Sequence, residues 1–107
     1  MFKPCEYLLD HPEILADMPV LYSTEKEEVA DHVLRVRFYH PLARWSWYGV
    51  EYDQKERLFF GWVEGTVPEW GYFSLSEMAF TETLGVPVMW DKDFKPIRFG
   101  DLPRPSD

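Results

Sequence analysis

The 107-residue chain carries 11 Lys and Arg against 19 Asp and Glu, a net charge of −8, and 46% of it is hydrophobic. That length fits one domain, residues 1–107, with one modest core, and the composition excludes a disordered chain. The negative balance argues against non-specific nucleic-acid binding through a basic face; the single cysteine, Cys5, excludes an internal disulfide; no apolar run approaches the ~20 residues of a membrane span.

The opening residues MFKPCEYLLDHPE have no apolar stretch suited to a signal peptide, so a cytoplasmic protein is expected. Residues 4–18 read as a short helix, with Tyr7, Leu8, Ile14, Leu15 and Met18 approximating one apolar face. His11-Pro12 should split it, because proline disfavours a helical residue before it. Thr24-Glu25-Lys26-Glu27 has the pattern of a capping box and predicts one helical turn through Ala30. His32 to Tyr39 alternates as a half-buried strand, with Leu34, Val36 and Phe38 on one face.

Trp45 to Tyr52 reads as a second strand. Trp45, Trp47, Gly49 and Glu51 fall on one side of it, and Ser46, Tyr48, Val50 and Tyr52 on the other. Arg57 to Glu64 is a third strand, apolar on both faces and therefore central and covered. Gly49 and Gly61 mark bulges or places where a neighbouring ring needs room. Trp70 to Phe73 makes a fourth, short strand. Ser74-Leu75-Ser76-Glu77 is a second capping box, predicting a helix to about Leu84 that Gly85 ends. Val86 to Trp90 is an extended edge element because of Pro87. In the tail, Ile97 and Phe99 are anchors, and Pro103 to Asp107 frays.

The stretch Phe38 to Phe73 holds twelve of the nineteen aromatic residues. The expected fold is α+β: a small antiparallel β-meander of four to five strands, one packed helix and a short helical N-terminal arm. Residues 1–31 form the acidic arm, 32–99 the aromatic sheet with its helix, and 100–107 the tail.

The pieces Leu21-Tyr22-Ser23-Thr24, Phe38-Tyr39, Trp45-Ser46-Trp47-Tyr48, Leu58-Phe59-Phe60-Gly61, the run from Glu69 to Glu77, and Phe94-Lys95-Pro96 follow one another in a set order. In this the chain resembles a bacterial family of small proteins of unknown function found on plasmids, conjugative elements and phages. The resemblance runs from Leu21 to Leu102 and implies a compact domain associated with mobile DNA. It brings no catalytic residues. The acidic segment before Leu21 is less typical of that family, so no role carries over to it.

Chemistry-bearing patterns are sparse. Cys5 has no base in sight and Gly-x-Ser-x-Gly is absent, so no nucleophilic triad is expected. His11, His32 and His40 are scattered, and Asp91-x-Asp93 lacks the remainder of a calcium loop, so neither a metal nor a cofactor is expected. One enzymatic alternative is a small hydrolase, for which Glu51, Asp53 and Glu64 would have to converge. A second alternative is a single-stranded nucleic-acid-binding module. In it Arg35, Arg37, Tyr39, Arg44, Trp45, Trp47 and Arg57 would share one sheet face on which bases stack.

The charge favours a third reading. Residues 1–31 hold eight acids against two lysines, whereas the rest of the chain is nearly balanced. Such a segment can present a phosphate-like pattern to a basic groove and speed the encounter. The leading expectation is a non-enzymatic inhibitor of a host nucleic-acid-binding defence complex, of anti-CRISPR or anti-restriction type. Its partner is a basic nucleic-acid-binding protein or nuclease complex. The candidate partner-binding residues are Glu13, Asp17, Tyr22, Glu25, Glu27, Glu28, Asp31 and Trp70.

Overall fold

The structure, a computed structural model, describes residues 3–103. Four consecutive strands form the expected meander: β3 (Val36–His40), β4 (Trp45–Asp53), β5 (Leu58–Glu64) and β6 (Glu69–Ser74). Two short strands extend it beyond β3. Met89–Trp90 (β9) pairs with β3, and Lys3–Pro4 (β1) pairs with β9, giving the all-antiparallel order β1-β9-β3-β4-β5-β6. The sequence reading placed Val86 to Trp90 at an edge. Only Pro87 needs an edge, and it lies outside β9, in β8 (Val86–Pro87), so Met89 and Trp90 are free to pair on both sides.

Two places break the simple alternation. Between Gly49 and Glu51 the β4–β5 register shifts by one residue, a β-bulge at Val50. An extra residue inverts every side chain beyond it. Tyr52 therefore joins Phe59 and Phe73 in one core layer, while Glu51 turns to the face of Tyr48 and Val50. The other break is at Arg35, where the chain changes partner. Val33–Leu34 (β2) pairs with Ile97–Arg98 (β10), so Leu34 packs beneath Phe99 rather than with Val36 and Phe38.

The sheet is thus covered on both faces. On the first, Phe38 and Phe59 are both 0% exposed; Phe59 stacks on Phe73, Phe38 meets Phe73 edge-on, and Leu8, Leu15, Leu75 and Met78 complete the layer. On the second, Leu34, Tyr48, Val50 and Phe99 are joined by Trp62, Trp70, Ile97 and Leu102. The chain after residue 99 is therefore not all tail: Phe99–Asp101 forms a 3-10 turn and Leu102 packs. Residues 104–107, the rest of the stretch expected to fray, lie outside the described residues.

The N-terminal arm is two 3-10 turns, Cys5–Leu9 and Pro12–Leu15, divided at His11 as the proline dictates. Three residues per turn aligns Cys5 with Leu8 on the buried side; the break at His11 resets the phase, so the second turn buries Leu15 and leaves Ile14 exposed. Ser74 caps α1 (Leu75–Phe80) by accepting from the Glu77 N–H at 3.1 Å. The helix stops four residues before Leu84. Thr81 is already extended, and Glu82–Thr83 (β7) pairs with β8 around Leu84-Gly85. Both loop residues have positive φ, 58° and 75°, the requirement of a two-residue type I′ turn. Gly85 serves a hairpin, not a helix end.

Cys5 is buried, its N–H donates to the Val88 carbonyl, and desolvation pushes its thiol up to about 12. Between the ordinary thiol value of 9.0 and 12 the unfolded chain releases this proton and the folded chain keeps it. Stability from this group is therefore complete below the lower value and falls as pH rises across that window. Ellman's reagent at pH 8 is expected to label Cys5 only as the fold opens; immediate stoichiometric labelling of the native protein would contradict its burial.

Candidate partner-binding surface

The acidic segment is tied to the sheet by Glu51. That carboxylate is 3% exposed. It accepts from the Tyr22 N–H at 2.7 Å, from the Thr24 N–H at 2.8 Å, and from the Thr24 hydroxyl. A second tie lies beside it, where the Tyr52 N–H donates to the Pro19 carbonyl at 2.8 Å. The bulge at Val50 makes this possible by turning Glu51 out of the first core layer. The expected capping box at Thr24 does not form: its hydroxyl is spent on Glu51, and the following 3-10 turn begins only at Val29.

Tyr22 sits at φ 70°, in the left-handed region that costs a non-glycine residue roughly 1 kcal/mol or more. Its bond to Glu51 offsets that cost. Tyr22 is 61% exposed, and it meets Tyr72, whose hydroxyl is pushed upward first by desolvation and then by their mutual hydrogen bond.

Glu25, Glu27 and Glu28 follow on the same loop and are exposed. Glu27 Oε1 lies 3.3 Å from His32 Nδ1, without hydrogen-bond geometry, and among the described residues that buried nitrogen has no other partner. Asp31 is exposed but pairs with Arg98 at 2.6 Å, and Arg98 also reaches Asp101, so Asp31 is partly neutralised. Glu13 and Asp17 are exposed too, Glu13 beside His11. They belong to the arm whose Leu15 enters the first core layer, whereas Val29–Asp31 lies against the Phe99 turn on the second face. Glu25, Glu27, Glu28 and Asp31 thus share one segment of chain, whereas Glu13 and Asp17 belong to the preceding arm. Trp70 lies in the aromatic cluster of the second face. It is half-buried among Trp62, Phe99 and His32, with ring centroids 5.3, 4.8 and 5.2 Å away.

The residues considered for base stacking do not share a face. Trp45 and Trp47 stand opposite His40 and Phe38 on the first face. Arg37 lies over Tyr39 and Tyr48 on the second and is engaged by Asp91 at 3.1 Å. Arg57 is at the far end of the β4–β5 hairpin. The three hydrolase carboxylates are also dispersed. Glu51 holds the loop, Asp53 accepts from the Lys55 N–H, and Glu64, beside Ser46, accepts from Trp62 Nε1. Among the described residues no group of three His, Cys, Asp or Glu is placed to hold a metal, and no helix is long and apolar enough to cross a membrane.

Sequence reasoning missed Glu51 as an organiser. The signal was present as a lone acid in a strand of aromatics, but its partners are 27 and 29 residues away.

No curated protein and no solved structure matches this chain. A sequence model of one family matches residues 11–99, so the match takes in ten residues before Leu21 that the resemblance had left out. The chain belongs to the family described as protein of unknown function (DUF2958).

Proposed function

We propose that this chain is a non-enzymatic, cytoplasmic protein of a phage or mobile element. It binds and inhibits a basic host nucleic-acid-binding complex of the CRISPR or restriction type. Carboxylates take the place of DNA phosphates in the partner's groove. The observation that supports this reading most is the loop from Tyr22 to Asp31. It presents Glu25, Glu27 and Glu28 to solvent while the buried Glu51 fixes its backbone. A fixed array of like charges has already lost the entropy that a floppy acidic tail would lose on binding, and it steers a basic partner toward itself.

The test is capture from host lysate at low salt, followed by competition with duplex DNA. A basic nucleic-acid-binding complex should be retained and then released by DNA. Reversing Glu25, Glu27 and Glu28 to Lys moves the net charge from −8 to −2 and should weaken capture at least about tenfold, with a shallower salt dependence. Retention of no basic complex by the wild-type protein would overturn the proposal.

A further inference from the structure

On the first face, beyond the core layer, a cleft of about 390 Å³ opens between β4, α1 and the β7–β8 hairpin. That is within the usual size of a small-ligand site. Its walls are Trp45, Trp47, Met78 and Val88, with Glu77 and His40 as the ionisable groups. The two indoles lie 5.8 Å apart at 39°, an open wedge rather than a closed stack. Trp45 remains 37% exposed. Its ring is nonetheless held: a Cβ at Gly65 would come within 2.6 Å of it, so the indole abuts that glycine.

The polar groups are sorted. His40, 3% exposed, accepts at Nδ1 from the Ala43 and Leu42 N–H groups at 2.8 and 3.2 Å. Its Nε2–H donates to the Thr83 and Val86 carbonyls at 2.8 and 3.0 Å. A backbone N–H can only donate and a carbonyl can only accept, so this pattern fixes the Nε2–H tautomer. The ring presents no free nitrogen to the cleft. Glu77 differs: its N–H is used at the helix cap, but among the described residues its carboxylate has no ion pair. Among the described residues no lysine or arginine lines the cleft.

Two electron-rich faces, an unpaired carboxylate and no resident cation suit a planar organic cation. A guanidinium stacks on indole and forks onto carboxylate, which a compact ammonium does less well. We propose that this cleft takes an arginine side chain of the basic partner. The source of the arginine rests on the function proposed above; affinity for the guanidinium does not.

The probe is N-acetyl-arginine methylamide, titrated into the full chain and followed by the indole N–H resonances of Trp45 and Trp47. Both should shift saturably at millimolar concentration. The citrulline analogue, equal in shape but uncharged, should bind at least about tenfold more weakly. Glu77→Gln, at an exposed site, and Gly65→Ala, which displaces the Trp45 ring, should each weaken the arginine titration. Glu25, Glu27 and Glu28→Lys should leave it unchanged. Equal binding of citrulline, or an arginine titration unaltered by Glu77→Gln, would overturn the inference. A flat titration with partner capture intact sinks the cleft alone. A saturable titration with no basic partner captured sinks the function and leaves the guanidinium site standing.

Discussion

Gly61→Ala is expected to cost at least about 3 kcal/mol, the upper end of what overpacking a core costs. Gly49, Gly61 and Gly71 stand side by side across β4, β5 and β6. At Gly61 a Cβ would lie 1.7 Å from the Tyr48 carbonyl oxygen and 2.8 Å from its carbon. Those are backbone atoms of the neighbouring strand, so no rotamer change relieves the clash. The strands would have to part by more than an ångström at the bulge, lengthening the ladder bonds between the two longest strands of the sheet. Set against a total stability of roughly 5–15 kcal/mol, that is a large share, and it should lower the melting temperature by about 12 °C or more. Gly71→Ala is the control. Among the described residues nothing lies within 4 Å of its Cβ position, and alanine removes backbone freedom from the unfolded strand, so its effect should stay within about 1 kcal/mol. Melting temperatures within two or three degrees of each other would show that the close approach at the bulge is wrong.

The same bulge explains where sequence reading succeeds and where it stops. The existence and order of β3 to β6 are legible, because period-two apolar runs separated by turn residues have few other solutions. The helix start at Ser74 is legible from its cap. Which face each side chain takes is not, because period-two logic assumes an unbroken pleat. One unpaired residue at Val50 and one change of partner at Arg35 move Glu51, Tyr52 and Leu34 to faces that the alternation does not give. The helix end fails for a different reason. A glycine with positive φ serves a helix C-cap and a type I′ turn equally well, and only the pairing of β7 with β8 decides between them. The acidic loop has no periodic pattern of its own. Its conformation is imposed from Glu51, a contact between residues too distant in sequence for local propensity to reveal.

Glu51→Ala is therefore expected to release that loop while leaving the sheet folded. Two backbone N–H groups and a hydroxyl lose a charged acceptor together. Each hydrogen bond to a charged group contributes roughly 1.5–3 kcal/mol, less where water reaches the freed donors, so a total loss of about 3 kcal/mol is expected. Tyr22 also loses what offsets its left-handed backbone. Amide exchange should rise at least tenfold at Tyr22 and Thr24, with little change at Phe38 or Phe59. Glu51→Gln separates charge from geometry. Both variants change the net charge equally, but glutamine keeps one acceptor oxygen and turns an amide donor toward the other N–H, so its loss should be about half that of alanine. If exchange at Tyr22 and Thr24 matches the wild type in both variants, the carboxylate is not what holds the loop. If the loop is released, partner capture should weaken in step with exchange, more for alanine than for glutamine. The exposed acids are the same in both, so only the order imposed on them by Glu51 can produce that ranking.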